Sequence, residues 1–71
     1  MDKFGKLIRE CRDNKGETIG QLAQVIGCSE AFVRHIESSK SVPVSERLIS
    51  ALKKHYRKAS SEIEKLSKSR N

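Results

Sequence analysis

The most constraining feature of this 71-residue sequence is a pair of short helical segments separated by only a few residues around Gly27. The first segment begins at Thr18, because Thr18 and Gln21 fit a capping box, and it ends at Gly27. The second segment begins at Ser29, a favourable N-cap residue, and runs to about Ser38. Helices joined so closely must cross at a steep angle rather than lie antiparallel. The sequence therefore predicts a sharply bent helix pair near its centre.

The flanking segments also have apolar residues at helical spacing, and strand-like alternation is nowhere sustained. A first helix is predicted over residues 3–14 and a fourth over residues 45–57. Between the helix pair and the fourth helix, residues 39–45 form a loop that contains Pro43, which disfavours helix in the residue before it. The fold class predicted from these patterns is all-α, a compact bundle of four to five short helices.

The end of the chain allows two interpretations. Ser61 and Glu64 fit a capping box, which favours a separate fifth helix over residues 61–68. Alternatively, one continuous helix runs to the end and its heptad stripe pairs with a second chain. The stripe consists of Leu52, Tyr56, Ala59, Ile63 and Leu66.

Positive charge is concentrated at the C-terminal end of the chain. The formal net charge is +6, and residues 1–52 hold 8 basic and 7 acidic side chains, a net of +1. Residues 53–71 hold 7 basic and 2 acidic side chains, a net of +5. Such a balance is typical of a protein with a polyanionic partner, or of a segment that is simply well solvated.

Several classes of protein are disfavoured by what the sequence contains. Its apolar runs are far shorter than the ~20 residues that span a bilayer, and charged residues follow Met1 directly, so we expect a cytoplasmic protein. Cys11 and Cys28 lack the spacing of a metal site and are interpreted as reduced core residues, so no metal or cofactor is predicted. His35 and His55 belong to no catalytic constellation, so no enzyme is predicted. A membrane-surface helix over residues 45–68 is disfavoured by its mixed apolar face.

The apolar positions of the bent helix pair carry a more specific signal. Leu22, Ala23, Gly27, Val33 and Ile36 occupy the buried, small and turn positions of a helix-turn-helix. In this light the sequence resembles the Cro/C1-type (phage repressor-like, XRE) helix-turn-helix family from residue 4 to about residue 52. The stretch IRECRDNKG resembles that family's first helix and turn, and TIGQLAQVIGCSEAFVRHIES its second and third helices.

The resemblance implies a five-helix, lambda repressor-like DNA-binding domain. We expect this domain over residues 1–58, followed at residues 59–71 by a basic C-terminal helix or tail that is a candidate dimerisation element. The dimer surface is expected at Tyr56, Ile63 and Leu66. The resemblance also implies that Arg12 and Glu37 form an ion pair that serves the fold rather than DNA.

The exposed face of the third helix is then expected to read base edges in the major groove. Arg34 suits the O6 and N7 acceptors of guanine, and Ala31 suits a thymine methyl group. The full set of expected base-reading residues is Ser29, Glu30, Ala31, Arg34 and His35. Contacts to the DNA backbone are expected from Thr18, Ile19, Phe32, Ser38, Lys40 and Ser41.

Two functional hypotheses remain at this point. The first is a sequence-specific regulator of transcription, a repressor of the phage or mobile-element type, that binds a palindromic operator in double-stranded DNA as a homodimer. The second is a helix-turn-helix module that binds a protein, as an antitoxin or as the partner of a regulator, with weak or secondary DNA binding. Ile19, where the family often has glutamine, and the near-neutral charge of residues 1–52 favour the second.

Overall fold

Five α-helices enclose one core in the computed structural model, which describes residues 3–38 and 44–68. A 3-10 turn at Arg57–Ala59 separates the last two helices. The predicted all-α fold class is confirmed, and none of the described helices is long and apolar enough to cross a membrane. The helices are α1 (Lys3–Lys15), α2 (Ile19–Ile26), α3 (Glu30–Ser38), α4 (Glu46–His55) and α5 (Ser60–Lys68).

Local hydrogen bonds fix the ends of the bent helix pair α2–α3. The Thr18 hydroxyl accepts from the backbone N–H of Gln21 at 3.1 Å, and the Gln21 side chain accepts from the backbone N–H of Thr18 at 2.8 Å. Gly27 ends α2 with φ of 75°, in the left-handed region that favours glycine. The Ser29 hydroxyl then accepts from the backbone N–H of Phe32 at 3.1 Å and caps α3. The predicted capping box and both predicted helix starts are therefore present.

The core is built around α1, which packs against both α3 and α5. The remaining strong contacts join α2 to α3 and α4, and α4 to α5. The bent helix pair is thus fixed from two sides, by α1 and by α4, which gives α3 a defined orientation. The buried apolar residues are Phe4, Ile8, Leu22, Ala23, Ile26, Val33, Ile36, Leu48, Leu52, Tyr56 and Ile63.

The C-terminal part consists of two helices rather than one. At Tyr56 the backbone leaves the helical region, with φ of −109° and ψ of 67°. The interpretation with a separate fifth helix is therefore the correct one, and the continuous helix is wrong. Two details differ from the sequence prediction. The fourth helix ends at His55 instead of residue 57, and α5 already begins at Ser60, so Ser61 lies inside the helix rather than at its cap.

Two of the three residues expected on the dimer surface are buried in the structure, which corrects that expectation. Tyr56 is only 5% exposed and Ile63 is fully buried in the core of the single chain. Leu66 is half-buried and packs against the same core. Three members of the stripe that could have paired with a second chain, Leu52, Tyr56 and Ile63, are instead buried within their own chain. Tyr56 and Ile63 are therefore unavailable as a dimer surface in the folded chain.

Candidate nucleic-acid interface

The outer face of α3 is a polar, exposed surface of the bent helix pair. Val33 and Ile36 are buried on the inner side of α3, whereas Ala31, Arg34 and His35 are exposed on the other. The Arg34 side chain retains 61% of its accessible surface. A helix buried on one side and polar on the other can enter a groove without disturbing its own packing. Ser29 and Glu30 are exposed as well, so all five expected base-reading residues are accessible.

Glu30 and Arg34 contact each other on this surface. The Arg34 Nη2 lies 3.6 Å from the Glu30 Oε1, one helical turn apart. The other carboxylate oxygen, Oε2, lies close to Gly20 in the first turn of α2. A Cβ atom added at Gly20 would be only 2.9 Å from it. Two expected base readers therefore form one unit. Their spacing of four residues is the signal in the sequence that could have revealed it.

The two capping hydroxyls can serve the DNA backbone as well as the helices. Thr18 and Ser29 each use the side-chain oxygen to accept a backbone hydrogen bond, which leaves the hydroxyl hydrogen to donate to a phosphate oxygen. Ser38 differs, because its hydroxyl donates to the backbone carbonyl of Arg34 at 2.6 Å. In this conformation Ser38 has no hydrogen to offer a phosphate.

The remaining expected backbone contacts have other surroundings. Ile19 and Phe32 are half-buried and pack against the core. Their side chains pack at the start of α2 and of α3. The backbone N–H of Ile19 can contact a phosphate, whereas the backbone N–H of Phe32 already donates to the Ser29 hydroxyl. Lys40 and Ser41 lie outside the described residues.

Arg12 and Glu37 form the ion pair expected from the resemblance. The Arg12 Nε and Nη2 atoms donate to the two carboxylate oxygens of Glu37 at 2.8 and 3.2 Å. Both side chains are largely buried, with 13% and 8% of their surface exposed. Arg12 also donates to the backbone carbonyl of Glu17 at 2.9 Å. One guanidinium therefore joins α1, the turn before α2, and the C-terminal end of α3.

A cluster around Glu17 was missed by the sequence analysis. Its carboxylate accepts from the Tyr56 hydroxyl at 2.7 Å and lies 2.5 Å from His55 Nε2. Burial by itself raises the pKa of Glu17, but the hydrogen bonds with Tyr56 and His55 outweigh this effect and lower it. The partners are 38 and 39 residues away in sequence. No local pattern could have indicated this cluster, which ties the turn before α2 to the end of α4.

Comparison with known proteins identifies the family. A family model described as a helix-turn-helix domain matches residues 3–66, which is most of the chain. Comparisons with curated proteins and with solved structures give no match. The match includes α1 and most of α5 as well as the bent helix pair, in agreement with one shared core. The chain therefore belongs to the helix-turn-helix domain family of the Cro/C1-like type, a family of DNA-binding regulators.

Proposed function

We propose that the protein is a sequence-specific regulator of transcription, a repressor of the phage or mobile-element type. It binds double-stranded DNA by inserting α3 into the major groove. The observation that carries this proposal is the outer face of α3, where Ala31, Arg34 and His35 are exposed. The N-terminus of α3 is fixed by the Ser29 cap, its C-terminal end by the pair of Arg12 with Glu37.

Arg34 is the principal base-reading residue in this proposal. Its guanidinium has five donors in a planar fork, which match the O6 and N7 acceptors of a guanine. Glu30 keeps the fork near the first turn of α2, so fewer side-chain conformations are available to it before DNA binds. Ala31 contacts a thymine methyl group, and His35 donates to or accepts from a neighbouring base.

Phosphate contacts position α3 but carry no sequence information. The N-termini of α2 and α3 present backbone N–H groups, and the hydroxyls of Thr18 and Ser29 add two donors beside them. Positive charge is scarce in this part of the chain, since residues 1–52 have a net charge of only +1. The part of one copy that carries the bent helix pair therefore contributes little electrostatic attraction for DNA at physiological salt.

The binding of two copies to a palindromic operator compensates for the low affinity of a single copy. A homodimer on DNA places two α3 helices in successive major grooves, about 34 Å apart. Each half-site then adds its own base and phosphate contacts, which brings the affinity into the range of about 10⁻⁸ M or better that specific regulators reach. Occupying an operator in this way blocks RNA polymerase, which is the proposed mechanism of repression.

The experiment is a selection of bound fragments from a random duplex library with the full chain. The proposal predicts an enriched palindromic site that contains a guanine in each half. A repeat with Arg34→Ala should relax the preference at that guanine, whereas Arg57→Ala, which removes the same charge outside α3, should leave the preference unchanged. No enriched site, or binding that Arg34→Ala leaves unchanged, would reduce DNA binding to charge attraction and favour the protein-interaction module.

A further inference from the structure

A groove of about 820 Å³ lies between α1 and the corner where α4 meets α5. The wall from α1 contains Leu7 and Cys11, both half-buried, and Glu10. Ala59 extends this apolar floor from the opposite side. None of the described residues of α2 or α3 lines the groove. It is therefore a surface separate from the proposed DNA-binding face.

The wall opposite α1 is basic, and its cations have no acidic partner in the described part of the chain. It contains Lys54, Arg57 and Lys58. By contrast, the neighbouring Lys53 pairs with Glu64. Lys54 lies in the last turn of α4, where the negative end of the helix dipole stabilises a cation. Arg57 and Lys58 belong to the following 3-10 turn and do not have this stabilisation. Unpaired cations beside an apolar floor are suited to an acidic, apolar ligand.

From this combination we infer that the groove binds an amphipathic helix of a partner protein, with acidic residues along one edge. The apolar face of such a helix packs on Leu7, Cys11 and Ala59. The thiol is polarizable and adapts to different apolar side chains. The acidic edge then lies along the basic wall, where its carboxylates replace water around the three cations. Because these cations have no acidic partner in the described part of the chain, no existing ion pair has to be broken.

The charges of the groove argue against two other occupants. Glu10 and Glu62 also line it and repel phosphate, and the apolar floor contributes nothing to binding a DNA backbone. A second copy of this chain would bring its own basic C-terminal part, with a net charge of +5 over residues 53–71, toward an already basic wall. A helix that is acidic along one edge only can pack its apolar face on the floor and keep its acidic edge on the basic wall, away from Glu10 on the wall of α1.

The test uses a synthetic peptide as the probe, because the partner is unidentified. A labelled helical peptide of ~18 residues carries leucine at every third or fourth position and glutamate along one flank. A scrambled peptide of the same composition is the control. By fluorescence anisotropy with the full chain, the inference predicts a dissociation constant in the micromolar range for the amphipathic peptide only.

Paired variants locate the binding site. The double substitution Arg57→Glu with Lys58→Glu should weaken peptide binding at least tenfold. The matched control, Lys6→Glu with Arg9→Glu, makes the same charge change at exposed positions of α1 that do not line the groove, and it should weaken binding less than threefold. Circular dichroism checks that both variants are folded.

Each remaining outcome overturns the inference. Equal weakening by both double variants, or no binding of the amphipathic peptide, would exclude this docking site. Sedimentation that shows a dimer broken only by Arg57→Glu with Lys58→Glu would assign the groove to a second copy. Loss of DNA binding in that variant, together with no binding of the amphipathic peptide by wild type, would assign the basic wall to the DNA interface instead. The peptide assay contains no DNA, so its result stands whether or not an operator is found.

Discussion

Removing Glu37 should destabilise the fold more than any other single change at a charged residue of α3. The substitution Glu37→Ala leaves the guanidinium of Arg12, with 13% of its side-chain surface exposed, without its two carboxylate acceptors. Breaking a buried ion pair from one side typically costs about 3–5 kcal/mol. Arg12 keeps its hydrogen bond to the carbonyl of Glu17, so we expect the lower end of this range, about 3 kcal/mol.

For a domain of this size, 1 kcal/mol corresponds to roughly 4–8 °C in melting temperature, so Glu37→Ala should lower Tm by about 12–24 °C. Thermal unfolding followed by circular dichroism measures this directly. The double variant Arg12→Met with Glu37→Leu should recover much of the loss, because no charge is then left buried. Glu10→Ala, at an exposed position of α1, is the control and should change stability by less than about 0.5 kcal/mol. A melting temperature unchanged by Glu37→Ala would refute the role given to the pair.

Three further changes test other parts of the account. Gly20→Ala should raise stability by up to about 1 kcal/mol, because the closest atom to the new methyl group, at 2.9 Å, is the end of the long, exposed Glu30 side chain, which can shift. Gly27→Ala should do the opposite and cost about 1–2 kcal/mol, since φ there is 75°; thermal melts of the two variants that shift in the same direction would contradict this pair of predictions. Glu17→Gln tests the cluster with Tyr56. Because the pKa of Glu17 is lowered in the folded state, its contribution to stability is complete above the ordinary value of about 4.3 and is lost as the pH falls through the folded-state pKa. Urea unfolding from pH 6 downward should therefore show a shallower acid loss in Glu17→Gln than in wild type, and identical slopes would count against the cluster.

The sequence was most informative where structure is decided locally. The cap at Thr18, the left-handed Gly27 and the cap at Ser29 each act within a few residues, so their residue types predicted the bent helix pair and its boundaries. The inner face of α3 followed from helical spacing alone. The pair of Arg12 with Glu37 was accessible only through the resemblance, because 25 residues separate the partners.

The C-terminal part was harder to predict for a physical reason. An apolar stripe on a helix shows that something covers it, but not whether the cover belongs to the same chain. Tyr56 and Ile63 were expected on a dimer surface, and the break at Tyr56 turns α5 back onto α1 and α4 instead. The cluster of Glu17 with His55 and Tyr56 depends on where the C-terminal end of α4 packs. It could not be predicted before the position of α4 against the start of α2 was known.

The contact between Glu30 and Arg34 changes the interpretation of the proposed interface. Both residues were expected to read bases. From their mutual contact and the closeness of Glu30 to Gly20 we propose that Glu30 positions Arg34. Loss of Glu30 should therefore alter the preference at the base that Arg34 reads, besides any base of its own.

A double-mutant cycle between protein and DNA can establish whether Arg34 reads a guanine from the major groove. The selected site is synthesised with 7-deazaguanine at the proposed contact, which removes the N7 acceptor and keeps the base pair. Binding of wild type and Arg34→Ala is then measured on both duplexes. We predict that each change alone costs about 1–3 kcal/mol of binding free energy. The two changes together should cost little more than Arg34→Ala alone. Fully additive losses would show that Arg34 does not contact that guanine and would contradict the proposed mode of reading.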